Sequence, residues 1–204
     1  MMNKRLAREV YLNDTAEVAR RLLGCRLVRW VNEQRVAGII VETEAYVGRE
    51  DLGCHASGAR TPRVEAMYGP PGHAYIYLVY GMYHCLNAVT QPVGEPQAVL
   101  IRALAPTEGI DLMRANRRNS RTGAVPSGKD LANGPGKLCQ AMVIDLSLYG
   151  ADLTGDALWV EEEPPMPAHR ICVGPRIGID YAGEWAKAPL RFWIRGDPYV
   201  SKAR

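Results

Sequence analysis

The residues best suited to chemistry stand together in one hexapeptide, Val41-Glu42-Thr43-Glu44-Ala45-Tyr46. If this stretch is extended, Glu42, Glu44 and Tyr46 share one face, and Thr43 and Ala45 share the other. A carboxylate beside a phenol at the mouth of a sheet has the makings of an active-site wall. The same hexapeptide also fits a strand that emerges into solvent with both acids hydrated, because carboxylates are seldom fully buried unpaired. Two further groups stand out. Tyr80, Met82 and Tyr83 crowd large apolar side chains around Gly81, and Arg114, Arg117, Arg118 and Arg121 form a cationic run. Such runs are commonly solvated faces, but this one is a candidate phosphate contact. Gly134-Pro135-Gly136-Lys137-Leu138 has the free N–H groups of a helix start next to a lysine, which suits an anion. It is not a Walker A loop, since Leu138 stands where Ser or Thr is needed.

These groups need elements to hold them. The apolar run Val36–Ile40 reads as a buried strand that delivers the hexapeptide. Ahead of it, Asp14-Thr15 caps an expected helix over 16–23, with Val18, Leu22 and Leu23 as its buried stripe and Gly24 just past its end. A strand over 25–30 follows. Residues 47–73 form a long Gly- and Pro-rich loop carrying His55 and Arg63, and loops of this length usually serve a function or are partly disordered. Residues 74–89 read as a β-hairpin turning near Gly81. Its apolar tip either awaits a partner or packs under the long loop. Residues 97–104 form another apolar strand, interrupted by Arg102. Pro106-Thr107-Glu108 is expected to open a helix running to about Arg118. Gly134 opens a helix to Ile144, and strands are expected at 157–161, 170–173 and 190–195. With no repeats and no clear linker, residues 1–204 are read as one α+β domain with an antiparallel sheet, flanking helices and a protruding hairpin.

Composition narrows the classes. The 204 residues include 10 Tyr and 4 Trp but only 1 Phe, which hints at rings facing a wet cleft or a partner. The net charge of +3 is compatible with a polyanionic partner without requiring one. The 5 cysteines are scattered and lack a C-x-x-C pair, as expected of reduced thiols in a cytoplasmic protein. Cys54-His55 and His84-Cys85 have no internal ligand spacing for zinc, so no metal site is expected. Met1-Met2-Asn3-Lys4-Arg5-Leu6 lacks the apolar core of a signal peptide, and no run approaches bilayer length.

An acid-and-tyrosine strand end, an aromatic hairpin tip and phosphate-binding candidates together are the parts needed to extrude a base from a duplex. The sequence resembles the alkyladenine (3-methyladenine) DNA glycosylase family, the type without a helix-hairpin-helix. The matching segments are Val41-Glu-Thr-Glu-Ala-Tyr46, His55, Tyr77 through Asn87, Leu100-Ile-Arg-Ala-Leu104, Gly134-Pro-Gly-Lys-Leu-Cys-Gln140, Gly174-Pro-Arg-Ile-Gly178, Gly183-Glu-Trp185 and Pro189-Leu-Arg-Phe192. The resemblance covers nearly the whole chain and implies a curved antiparallel sheet and a hairpin that enters the minor groove.

It also implies roles. Glu44 matches the general base that activates water, and Arg102 the residue that holds the water and backbone with it. Glu42 has no catalytic counterpart, and a structural role is expected for it. Tyr46, His55 and Tyr77 match the rings around the extruded base. Asn87 matches the amide that excludes guanine. Tyr80 matches the side chain filling the gap in the duplex, with Met82 and Tyr83 beside it. Lys137, Gly136, Arg114 and Arg118 are the expected phosphate contacts. The implied substrates are duplex DNA bearing 3-methyladenine, 7-methylguanine, hypoxanthine or ethenoadenine, cut without a lyase step, without cofactor or metal, by a monomer. A bacterial member would be associated with the nucleoid. His84 departs from the better-known vertebrate members, where an apolar ring is expected. Two other readings remain open. One is a catalytically inactive damage-binding protein on this fold. The other is a carbohydrate hydrolase using Glu42 and Glu44 as its pair, which would leave the arginines and the aromatic tip unexplained.

Overall fold

The computed structural model describes residues 4–202. Met1, Met2 and Asn3, where the N-terminal reading begins, lie outside them. Eight strands form one open antiparallel sheet: β1 (Arg26–Val31), β2 (Gln34–Tyr46), β3 (Ala74–Val79), β4 (Tyr83–Thr90), β5 (Gln97–Glu108), β6 (Leu158–Glu161), β7 (Ile171–Gly174) and β8 (Arg191–Ile194). The spatial order is β3-β4-β5-β2-β1-β6, with β8 joining β2 and β7 joining β8. Three α-helices flank it: α1 (Thr15–Leu22), α2 (Ile110–Asn116) and α3 (Pro135–Ala141). The fold is α+β, as expected. No helix among the described residues is long and apolar enough to cross a membrane.

α1 starts where its cap predicts, with the Asp14 carboxylate accepting the N–H groups of Ala16 and Glu17. Val18, Ala19 and Leu22 are buried on the sheet, and Gly24 turns the chain out with φ 84°. The Thr43 hydroxyl donates to the Ala19 carbonyl at 2.9 Å. That fixes the Thr43 face of β2 against the helix and leaves Glu42, Glu44 and Tyr46 on the other side.

β2 is the organising strand. One edge pairs with β5 from Ala37 to Tyr46, while the other pairs with β1 as far as Ile39 and then with β8 opposite Glu42, Thr43 and Glu44. Where β2 changes partners its register with β5 slips twice. Ile40 faces Leu104 and Glu42 faces Ala103, but Thr43 faces Ile101, so Arg102 has no opposite number. Such bulges bend a strand and re-aim a side chain. Here the side chain is Arg102, turned towards both glutamates.

Two sequence expectations are corrected. Thr107 does not cap a helix. β5 continues to Glu108, where the Thr107 hydroxyl donates to the Ala37 carbonyl and Glu108 pairs with Arg26 and Arg35. The ladder with β2 outweighs the cap signal, and α2 begins instead after Gly109, whose φ of 67° suits glycine. α3 ends at Ala141 rather than Ile144, because Val143 has φ 54° and leaves the helix.

The long loop has a core of its own. Cys54, Ala56, Val64, Met67 and Tyr68 pack with Tyr75, Val89 and Ala98 of the sheet. The Tyr149 hydroxyl accepts the Ala66 N–H at 2.7 Å, which pins the loop from outside. His55 is thereby held against β3. The hairpin of β3 and β4 turns through Tyr80 and Gly81, both at positive φ (52° and 67°), and Met82 N–H closes the turn on the Val79 carbonyl. The tip is not packed under the loop, since Tyr80 is 86% and Met82 67% exposed.

Candidate active site

Both carboxylates of the hexapeptide are completely buried, and their surroundings separate them. Glu42 is saturated with donors: Arg102 Nε at 3.0 Å, Arg191 Nε at 2.7 Å, Ser201 N at 2.7 Å and Ser201 Oγ at 2.9 Å. It ties β5, β8 and the C-terminal segment to β2, which is the structural role expected of it. Glu44 has a lighter shell. Its Oε1 accepts the Ile177 N–H at 2.8 Å, and its Oε2 accepts the Tyr46 hydroxyl at 2.9 Å and lies 3.2 Å from Arg102 Nη1.

Tyr46, Arg102 and Ile177 screen Glu44 from a cleft of 520 Å³, and all three line it. His55, Tyr77 and Asn87 line the same cleft, so the four expected pocket residues and Arg102 are brought together. The His55 and Tyr77 rings meet edge-on at 4.4 Å between centroids. His55 Nδ1 lies 2.7 Å from the Tyr75 hydroxyl. Asn87 Nδ2 donates to the Tyr75 carbonyl at 3.0 Å, which leaves the amide oxygen as its free end.

The electrostatics favour a neutral aromatic chamber with a cationic rim. Burial, and then the charge of Arg63, push the His55 pKa down, and burial pushes those of Tyr46 and Tyr77 well up. Burial works against the Arg102 cation, but Glu44 and Glu42 outweigh it and raise its pKa. Burial also raises the Cys85 thiol to about 11, so it is a protonated wall group beside Tyr77.

At the cleft mouth Tyr80 stands exposed and lines the rim. Met82 and Tyr83 flank it but face a separate groove of 920 Å³, together with His84, Gly136, Arg117 and Arg118. The remaining expected phosphate contacts lie outside the cleft. Lys137 Nζ donates to Asn133 Oδ1 at 2.7 Å, Arg114 pairs with Asp111 on the surface, and Arg118 Nε donates to the Gly123 carbonyl at 3.2 Å. A Cβ on Gly136 would come within 2.9 Å of Tyr83 Cβ. Close packing of α3 on the hairpin therefore explains that glycine without any ligand. Among the described residues no three His, Cys, Asp or Glu side chains cluster as a metal site would require.

Sequence reasoning missed the support of this site. Asp51 and Arg176 form a bidentate pair at 2.5 and 2.7 Å, and Arg191 and Ser201 complete the shell of Glu42. Arg176 stands in a matching segment that suggested no role for it. Asp51 lies in an aperiodic loop, and Ser201 acts partly through its backbone, which carries no sequence signal.

The family model described as methylpurine-DNA glycosylase matches residues 9–198. A Bacillus cereus (strain AH187) protein named "Putative 3-methyladenine DNA glycosylase" is 50% identical over 197 residues, covering 94% of this chain and 96% of its own. A Bacillus anthracis (strain CDC 684 / NRRL 3495) protein of the same name has the same identity and coverage. The chain belongs to the methylpurine-DNA glycosylase family, and so to the DNA-repair hydrolases that act on N-glycosyl bonds.

Proposed function

We propose that this protein extrudes damaged purines from duplex DNA into the cleft and hydrolyses the bond between base and sugar with a water activated by Glu44. The observation that carries this reading is the stacking of one carboxylate, one arginine and a ring-lined chamber directly behind an exposed tyrosine tip. Tyr80 fills the space left in the helix. Unstacking a base costs a few kcal/mol, and stacking on the rings of Tyr46, His55 and Tyr77 returns about 1–3 kcal/mol. A damaged base that is already poorly paired is therefore the easiest to capture.

The Tyr46 hydroxyl and Arg102 occupy Glu44 Oε2. When a nucleotide enters, the attacking water takes the place of that hydroxyl. Water adds to C1′, the C1′–N bond breaks with its electrons going to the purine, and the water's proton passes to Glu44. The transition state has oxocarbenium character, which the buried carboxylate stabilises. Neutral His55 and the tyrosine faces favour cationic or electron-poor purines, which suits 3-methyladenine and 7-methylguanine. Hypoxanthine and ethenoadenine are the further candidate substrates. The Asn87 side chain would exclude guanine by steric contact with its 2-amino group, not by hydrogen-bond mismatch, since its free end is an acceptor. Among the described residues no lysine lines the cleft, so no amine is placed to form a Schiff base, and the product is an abasic site with the strand intact.

One observation favours a second reading. Glu44 has no exposure and both its oxygens are engaged, as in a protein that binds damage without excising it. A panel of lesion-bearing duplexes, treated with the native protein or with Glu44→Gln and then cleaved with alkali, decides between the two. Base release by the native protein alone supports the glycosylase, and tight lesion binding without release supports the binder.

A further inference from the structure

We propose that the buried Asp51–Arg176 ion pair is a positioning device for Glu44 and Tyr46, required for base release although neither residue touches the nucleotide. The inference rests on the reading of Glu44 as general base. Both partners are completely buried, and a buried pair recovers its desolvation penalty poorly as a stabiliser alone. Neither residue lines the cleft, but Tyr46 on one side of the pair and Ile177, Gly178 and Ile179 on the other do.

Arg176 grips the end of β2 in three ways. Its Nη1 donates to the Ala45 carbonyl at 2.9 Å, between Glu44 and Tyr46. Its guanidinium lies over the Tyr46 ring at 4.7 Å. The amide of the next residue, Ile177, is the donor to Glu44 Oε1. Asp51 closes the frame from the far side by accepting the Val47 N–H at 3.1 Å and the Gly53 N–H at 2.9 Å. A Cβ at Gly53 would lie 2.9 Å from Ile179 Cδ1 and 3.1 Å from Arg176 Nη2, so the loop backbone approaches the pair as closely as only glycine allows. Residues 45–47 are thus held at carbonyl, ring and amide by one ion pair, and the Glu44 carboxylate by the amide of the residue after Arg176. Arg176 also brings a second guanidinium near Glu44, in addition to Arg102.

The test compares single-turnover base release, lesion-duplex affinity and thermal stability for Arg176→Gln, Arg176→Lys and Asp51→Asn. A displacement of about 1 Å at a reacting group can cost on the order of 10²-fold in rate. Arg176→Gln and Asp51→Asn are accordingly expected to slow release roughly 10–100-fold with lesion affinity nearly unchanged. Arg176→Lys, which keeps the cation, recovers part of the loss. Loss of rate that merely follows the unfolded fraction, with no advantage of Lys over Gln, would overturn the proposal, as would native rates in folded variants. If Arg176→Gln does not fold, Arg176→Lys and Asp51→Asn, which keep most of the volume and contacts, carry the same comparison. NMR of labelled tyrosines reads the Tyr46 ring without catalysis. A Tyr46 resonance that moves in Asp51→Asn supports the pair even where native protein releases no base, the outcome that sinks the general-base reading instead, and a resonance that stays put removes the positioning role.

Discussion

Glu42 and Glu44 lie two residues apart, share Arg102 and are equally buried, yet their shells differ and the proposed function gives them opposite duties, so paired amide substitutions should separate stability from chemistry. Glu42 accepts four hydrogen bonds, two of them from guanidinium groups. Glu42→Gln leaves Arg191 without its carboxylate, and breaking a buried ion pair costs about 3–5 kcal/mol. At roughly 2–4 °C per kcal/mol for a chain of this length, Tm should fall by roughly 6–20 °C. Glu44→Gln is milder for the fold. Its amide oxygen can keep the Ile177 N–H, and its amide nitrogen can donate to the Tyr46 hydroxyl but then opposes Arg102 Nη1. One donor left poorly matched costs about 1–3 kcal/mol. For catalysis the order reverses, since loss of a general base removes about 10²–10⁴-fold. The assay is base release from a hypoxanthine-containing duplex under single-turnover conditions, at a temperature where thermal scans show both variants folded. Glu44→Gln should be nearly inert while binding the lesion, and Glu42→Gln should retain most of the native rate. If folded Glu42→Gln proves as inert as Glu44→Gln, or if Glu44→Gln stays within about 10-fold of native, the division of labour is wrong.

Tyr80→Ala, at an exposed tip, should change stability by less than about 0.5 kcal/mol yet slow release from duplex far more than from single strands; equal effects on both substrates would remove the wedge role. Gly136→Ala forces a methyl group onto Tyr83 Cβ and should destabilise by about 1–3 kcal/mol, a loss that Tyr83→Gly, which removes that atom, should partly relieve in thermal scans when compared with Tyr83→Gly alone. Folded His55 is held below its ordinary 6.5 by burial and by Arg63, so the unfolded chain takes up more protons under that pH. The contribution of His55 is complete above about 6.5 and declines as pH falls below it; His55→Asn should flatten the fall of Tm between about pH 6.5 and 5, and an unchanged slope would show that the ring titrates freely. Lys137→Ala should weaken damaged and undamaged duplexes alike and lower the salt slope by about 1; a loss confined to lesion DNA would place Lys137 elsewhere in the mechanism.

The strands, the capped first helix and the aromatic tip were legible because each is written locally, in period, cap and turn residues. The facing of Glu42, Glu44 and Tyr46 was also legible, and it holds because the Thr43 hydroxyl is anchored to α1. Where two local signals competed, the longer-range one prevailed. Thr107 reads as a cap, but the β2 ladder runs on to Glu108. The shell around the carboxylates was not legible, because it is assembled from positions far apart in the chain. Arg102 reaches both glutamates only because a slipped register leaves it unpaired in β5, and nothing in Leu100-Ile101-Arg102-Ala103-Leu104 marks that slip. Arg176 meets Asp51 across 125 positions of sequence, one in an aperiodic loop and the other after a Gly-Pro turn. The hexapeptide thus names the proposed reacting group but not its state. Bare, those acids would be hydrated strand-end residues, and it is the bulge at Arg102 and the clamp at Arg176 that turn one of them into a support and leave the other facing, through a tyrosine hydroxyl, the place a nucleotide would fill.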